Sequence, residues 1–425
     1  MAGCTHVRPV IDYALVDASS IPTVSESAPA TGGPTRPVWQ GVRRILLHAT
    51  VLVGFLLLTV LMTWPLGANP THVLASWGDP VFQTWTLAWD VHAWRTNPAD
   101  IFNANIFYPY HLTLAYSDHL MAQAALVAPI LLATGNAVLA DNVSVLLAFA
   151  LSSFTMYLLV LDITGSRLAG VIAGMLYAFA PPRMSHLEHL HILSAQWLPL
   201  ALLTARRALK ERSVRWATAL GAVVLVQGLS GLYLFYFMVV MLAIVFVAYL
   251  VANRTRRALG AVVIAGAACV IASALLLPTL LPYLRVNQEL GIERTEEEIT
   301  EWQAKPADYL AVSPENRLWG ETLGSRFSRH LEQELFPGAA LLVLAVVGLI
   351  GRRYRWERWL LFTILLVAVV LSFGLSAPIA GREYPLPYRL LYDYLPGFRA
   401  IRVPARLVFL ALVGACGLAG LGADA

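Results

Sequence analysis

The sequence predicts an all-α protein, a polytopic transmembrane helical bundle of about ten spanning helices with re-entrant and interfacial helices added. Three observations predict it. Of 425 residues, 58% are hydrophobic and only 13% are charged, against about 25% charged in soluble domains. Apolar runs of roughly 20 residues recur, each long enough at ~1.5 Å per residue to cross a hydrocarbon core about 30 Å thick. Arginines gather in short loops between those runs, the pattern that marks cytoplasmic loops. The net charge of +4 therefore reports orientation and implies no nucleic-acid partner.

Residues 1–42 hold Ser, Thr, Pro and Gly without helical periodicity and read as a disordered cytoplasmic tail. The first spanning helix is expected at 45–65, held with its N-terminus inside by Arg43 and Arg44. The run is too long for the core of a cleavable signal. Residues 66–118 are too polar to span yet rich in Trp and Tyr. Phe82, Trp85, Trp89 and His92 fall at near-helical spacing from Pro80 to Trp94, as in a helix lying in the interface. Further spans are expected at 142–161, 166–181, 191–206, 215–231, 233–252, 258–281, 337–351, 358–375 and 403–422. Cys269 and Cys416 fall inside apolar runs and Cys4 in the tail, so no disulfide or thiolate metal site is expected.

Three basic loops, Arg206 to Arg215, Arg254 to Arg257 and Arg352 to Arg358, are placed in the cytoplasm by the positive-inside rule. An even number of crossings then separates Arg206 from a cytoplasmic N-terminus. The candidates supply that number only when 120–134, short and interrupted by Pro129, is re-entrant. Loops 66–141, 182–190, 282–336 and 376–402 consequently fall on the outer face. The acidic stretch Glu293, Glu296, Glu297, Glu298 and Glu301 goes with them.

Four groups on that face could carry chemistry. Asp79, in Trp77-Gly78-Asp79-Pro80, could be a general base or a ligand for a phosphate-bound cation, or it could simply open a helix before Pro80. Asp90 reads as the polar side of the interfacial helix. Asp118-His119 stands at the mouth of the re-entrant segment, where ionisable groups are costly; Asp118 could equally cap the helix that follows. The run Arg183-Met184-Ser185-His186-Leu187-Glu188-His189-Leu190-His191 packs three imidazoles and a carboxylate beside Pro181-Pro182. A continuous helix would place His186 and His189 on one face, short of the third ligand that zinc needs. The run suits hydrogen bonding to hydroxyl or phosphate groups better than a metal. Arg399, Arg402 and Arg406, with Arg382 and Arg389 nearby, lie outside against the charge rule. They ask for an anionic partner such as a lipid phosphate, or snorkel to ordinary headgroups. Asn142-Val143-Ser144 fits the glycosylation pattern, a triplet too short to be informative.

A first helix followed by a large outer loop, with surface-lying helices and a carboxylate near the loop's start, resembles the GT-C superfamily of integral membrane glycosyltransferases. It is most similar to a bacterial membrane-protein branch grouped with that superfamily. The resemblance rests on Asp79 in its Trp-Gly-Asp-Pro setting, on Tyr108-Pro109, on Asp118-His119, on the helix pairs to about residue 232, and on the run from Arg399 to Arg406. It implies a GT-C-like transmembrane domain over 43–425 and a polyprenyl-phosphate-linked sugar as donor. It also implies the role of base or metal-associated residue for Asp79. Family members often carry two acids together or one residue apart, whereas Pro80 and Val81 follow Asp79 here; Asp118 would supply the second carboxylate through space. The Trp-Trp-Asp motif of oligosaccharyltransferases is not found. The chain stops soon after its last helix, at Gly422-Ala423-Asp424-Ala425, as expected of a sequence that continues further.

The expected function is sugar transfer at the extracytoplasmic face of a bacterial plasma membrane. Asp79 and Asp118 would be catalytic. His119, Arg183, His186, Glu188, His189, His191, Arg399, Arg402 and Arg406 would bind substrate. The partners are the lipid-linked sugar and membrane lipids, and a divalent cation is the one cofactor such carboxylates would admit. The rivals are a transporter or flippase for a lipid-linked glycan, and a non-catalytic assembly partner. No internal repeat of the transporter kind is visible. The topology predicts that cysteines placed at Ser117 and Ser185 react with an impermeant maleimide from the same, outer side. Labelling from opposite sides would break the parity count.

Overall fold

A computed structural model describes residues 38–425 except Ile292, Glu293 and Ala380. The tail expected at 1–37 and the acid expected at Glu293 lie outside the described residues. The chain divides into two units, Met1–Leu46 and Leu47–Ala425. The described part of the first is the opening of helix α1; the second holds every element discussed below.

In chain order the helices are α1 (Val38–Met62), α2 (Asp79–Thr96), α3 (Met121–Thr134), α4 (Ala137–Thr164), α5 (Arg167–Ala178), α6 (Pro181–Ser185), α7 (Leu190–Leu193), α8 (Trp197–Glu211) and α9 (Val214–Ser230). There follow α10 (Leu232–Ala252), α11 (Arg256–Leu275), α12 (Leu277–Leu290), α13 (Glu296–Glu301), α14 (Ser325–Phe327), α15 (Ala339–Ile350), α16 (Arg355–Ser372), α17 (Tyr388–Tyr394) and α18 (Val408–Ala423). Helix α1 starts at Val38, inside the stretch read as tail. One antiparallel hairpin departs from the all-α expectation: β1 (Ser376–Ile379) pairs with β2 (Arg382–Pro385), with Ser376 opposite Pro385.

Five described helical stretches are long and apolar enough to cross a membrane: Gly41–Met62, Ala137–Thr164, Leu232–Ala252, Arg256–Leu275 and Pro404–Ala423. Helix α3 has 14 residues and ends at Gly135 in the left-handed conformation, about 21 Å of helix and short of the hydrocarbon thickness. Two expected spans are broken. The one at 191–206 divides between α7 and α8, and the one at 258–281 ends at Leu275, where Pro278 opens α12.

Two hairpins are built with the same turn chemistry. In Thr134-Gly135-Asn136 and in Thr164-Gly165-Ser166, the glycine takes a positive φ (66° and 77°) that an L side chain resists. Thr134 and Thr164 turn their hydroxyls back to Ile130 O and Val160 O, both at 2.8 Å. Asn136 and Ser166 then cap the next helix, accepting from Leu139 N at 2.9 Å and Ala169 N at 3.3 Å. The result is an α3–α4–α5 meander with each helix antiparallel to the last.

Helix α18 is apolar on every side and buried along nearly all its length, the pattern of a central helix. It packs against α15, α16, α5 and α4. Ion pairs fasten another part of the bundle: Asp162 of α4 takes Arg206 and Arg207 of α8, and Arg206 reaches Glu357 of α16 at 2.9 Å. Glu332, from the long segment before α15, meets His186 after α6 and Arg406 before α18, and Glu188 and His189 reach the N-terminal turn of α2.

Close approach of α5 to α4 depends on Gly174, where a Cβ would stand 2.4 Å from Ser153 O and 2.9 Å from Phe55 Cζ. Gly174→Val is therefore expected to lower stability by about 1–3 kcal/mol through overpacking, read as a fall in melting temperature in detergent. An unchanged melting temperature would show that the helices can part at no cost.

Candidate functional site

The N-terminal turn of α2 is bolted to the histidine run from both sides. Ser76 Oγ donates to the Glu188 carboxylate at 2.5 Å and accepts from Gly78 N. The Gln83 amide donates to Glu188 O at 2.7 Å and accepts from Leu190 N at 2.9 Å. His189 is the residue between those anchors, and its Nε2 lies 3.2 Å from Asp79 Oδ2. Asp79 is the first residue of α2 with Pro80 after it, so the helix-opening and functional readings describe the same geometry. Its side chain stays 56% exposed, which leaves an oxygen for a visiting molecule. The hydrogen bond from His189 lowers the Asp79 pKa; burial opposes this, and the charge of Arg406 assists it.

Asp118 reaches the same place from another segment. Its Oδ1 accepts from Leu232 N at 3.1 Å, at the start of α10, and its Oδ2 lies 3.9 Å from His191 Nε2. Burial pushes His191 down to about 4, against the pull of Asp118, so that imidazole is neutral. His119 is lowered for the same reason and stands buried against Phe102 and Tyr283. Asp79, Gln83, Ser117, Asp118 and His191 line a single cleft of about 40 Å³, room for a few waters and not for a sugar.

Behind this cleft lies a second charged group. His186 faces Pro182 O with Nδ1 (2.8 Å) and Glu332 Oε2 with Nε2 (3.0 Å). Glu332 also accepts a forked pair of bonds from Arg406, whose guanidinium sits over the Tyr233 ring at 4.9 Å. Burial works against an ionised Glu332, but Arg406 and His186 outweigh it and hold the carboxyl well below the usual range. The imidazoles form a file, 5.4 Å between His186 and His189 and 6.0 Å between His189 and His191. Ligand atoms of His186, His189 and Glu332 lie within 4.8 Å of one another, a set that could hold a metal ion. Both Glu332 oxygens are already engaged by Arg406, so the ion pair is closed and the set does not fit a cation.

Several sequence expectations are corrected. The histidines share no helical face: α6 ends at Ser185, α7 begins at Leu190, and the turn between them closes through His189 N to His186 O at 2.9 Å. Arg183 does not reach the cleft. It is fully buried, donating to Ala178 O, Ser152 Oγ and Leu193 O among the rings of Phe149, Tyr177 and Phe409, and so it braces the histidine turn. The Glu188 side chain serves Ser76. Arg399 lies against Tyr392, away from the cleft. Arg402 is 41% exposed, over Trp302 and 3.8 Å from Glu298. Asp90 is buried rather than on a polar face. Asn142 is also buried, donating to Pro70 O and Val73 O, which removes it as a glycosylation acceptor.

Glu332, Gln83 and Tyr233 were not singled out from sequence. The one available signal for Glu332 was a carboxylate in Glu332-Gln333-Glu334 standing directly before the apolar run at Phe336-Pro337, where charge is costly.

Fold and site together define a helical membrane protein with two carboxylate–histidine pairs opening into one cleft. The chain belongs to the family described as domain of unknown function DUF6311, whose profile matches residues 50–416. No curated protein matches it. Among solved structures it is similar to the archaeal oligosaccharyltransferase AglB from Archaeoglobus fulgidus, in complex with an inhibitory peptide and a dolichol-phosphate. The identity is 15% and the TM-score 0.47, over 89% of this chain and 50% of that one. The chain thus spans about half the length of that protein.

Asp90 supplies a pH test. Burial raises its pKa from 3.8 to about 8, with the Leu120 amide pulling the other way. The folded state therefore holds the extra proton, and stability from this group is full below about pH 4 and lost as pH rises to about 8. Asp90→Asn should flatten the melting temperature across that window. An unchanged pH slope in the variant would place the buried proton elsewhere.

Proposed function

We propose that this protein is a GT-C-like membrane glycosyltransferase, moving a sugar from a polyprenyl-phosphate carrier to a hydroxyl acceptor at the extracytoplasmic face. One observation carries the reading: Asp79 and Asp118, from separate segments, line one cleft with His189 and His191 behind them. In sugar transfer the acceptor oxygen forms a bond to the anomeric carbon as the bond to phosphate breaks. The acceptor proton needs a base, and the phosphate leaves with negative charge.

Asp79 suits the base. It is exposed and ionised, and His189 holds it in one orientation. Asp118, fixed by Leu232 N, orients the acceptor. The phosphate falls to the arginine side. Arg402 is half exposed and can meet an anion directly, whereas Arg406 is held by Glu332. The present cleft admits water and not a hexose, so substrate entry requires its own walls, the first turns of α2 and the 117–120 segment, to part.

Purified protein in liposomes, given a polyprenyl-phosphate-linked labelled hexose and a cell-envelope extract as the source of acceptor hydroxyls, should move label to the acceptor and release polyprenyl phosphate. Asp79→Asn should slow that release by about 100- to 10,000-fold with the melting temperature unchanged. Wild-type release by the variant would remove the proposed base. Transbilayer movement of the intact labelled lipid without release would favour the flippase instead.

A further inference from the structure

Asp118 hangs on a short backbone segment, and a side chain from far along the chain holds both ends of it. The Tyr283 hydroxyl accepts from His119 N at 3.0 Å and donates to Ser117 O at 2.9 Å. The two bonds therefore fall on the residues either side of Asp118. Tyr283 rises from α12, whose single buried residue is Val286 and whose Leu277, Leu281, Leu284 and Leu290 are exposed. Packing of this helix needs a ring at position 283, which lies against Phe102 at 5.9 Å and His119 at 6.0 Å. It does not need a hydroxyl. The value of the hydroxyl lies in the two backbone groups it satisfies.

We propose that Tyr283 is the positioning residue of Asp118, its hydroxyl fixing the direction in which that carboxylate enters the cleft. The Asp118 oxygens are already tied to Leu232 N and directed at His191. With Tyr283 the backbone is tied as well, and the side chain has one placement. Burial and the Asp118 charge raise the Tyr283 pKa, which keeps the proton on the phenol that Ser117 O accepts. As a statement about catalysis this rests on the glycosyltransferase reading; as a statement about geometry it does not.

The experiment has two arms. Hydrogen–deuterium exchange is followed over residues 117–120 in detergent for wild type, Tyr283→Phe and Val286→Ala. The phenylalanine keeps the ring, so the fold and the exchange of α4 should be unchanged while the His119 amide exchanges at least tenfold faster. Val286→Ala loosens α12 without touching the hydroxyl and should leave that amide protected. Equal protection in wild type and Tyr283→Phe, or equal loss in both variants, would overturn the proposal.

In the liposome assay Tyr283→Phe should lower kcat about tenfold at unchanged KM. On an Asp118→Asn background it should have no further effect, because it acts through that residue; a full additional tenfold loss there would refute the coupling. Absence of release by wild type would sink the glycosyltransferase reading alone, with the exchange arm still deciding the role of Tyr283.

Discussion

A carboxylate and a guanidinium buried together, Glu332 and Arg406, are the constraint on which the rest of the site depends. Each alone would be very costly in an apolar setting, and breaking such a pair costs about 3–5 kcal/mol. The pair joins the end of the long 306–337 segment to the start of central helix α18, and His186 joins both to the turn after α6. Tyr233 of α10 lies under Arg406 and also accepts from Arg402 N at 3.0 Å. Four parts of the chain are thereby fixed to one charged centre, and the cleft is built in front of it.

That arrangement explains why the histidine run can be irregular. A helix through Arg183 to His191 would keep His186 and His189 on one face and turn His191 away. The turn instead spends Arg183 on the carbonyls of Ala178 and Leu193, holding its two ends while His186, His189 and His191 fan towards three different carboxylates. His186 meets Glu332, His189 meets Asp79 and His191 approaches Asp118. Gln83, with an acceptor and a donor on one amide, holds α2 in register with the turn.

Hydropathy and arginine placement made the helical membrane class legible, and the parity of the crossings led to the expectation that Asp79, Asp118 and the histidines share a face. Their contact distances agree with that grouping. What stayed hidden has physical causes. Glu332 is 146 residues from His186, and no local pattern encodes such a pairing. Asp90 occupies a polar slot on a helix of weak amphipathicity, so periodicity could not say that it turns inward. Arg183 reads like a ligand because guanidinium groups suit anions, yet the same five donors serve equally well to collect backbone carbonyls. Helix lengths were the least legible feature: one expected span breaks at Ser194–Gln196 and another just before Pro278.

Charge then divides the site into two halves. In the cleft, Asp79 and Asp118 are the groups at the surface, and burial keeps His119 and His191 neutral. A phosphate placed there would meet two carboxylates without a compensating cation, at a distance where like charges repel strongly. A hydroxyl would meet two acceptors, which is what an acceptor proton requires. On the other side Arg402 offers a half-exposed guanidinium with Glu298 only 3.8 Å away, an ion pair loose enough for a dianion to displace. The Glu332–Arg406 pair sits between the halves and is nearly neutral as a unit, so it insulates the acidic cleft from the basic surface. The proposed sugar transfer would need that separation, since it would remove a proton at one end of the new bond and stabilise negative charge at the other.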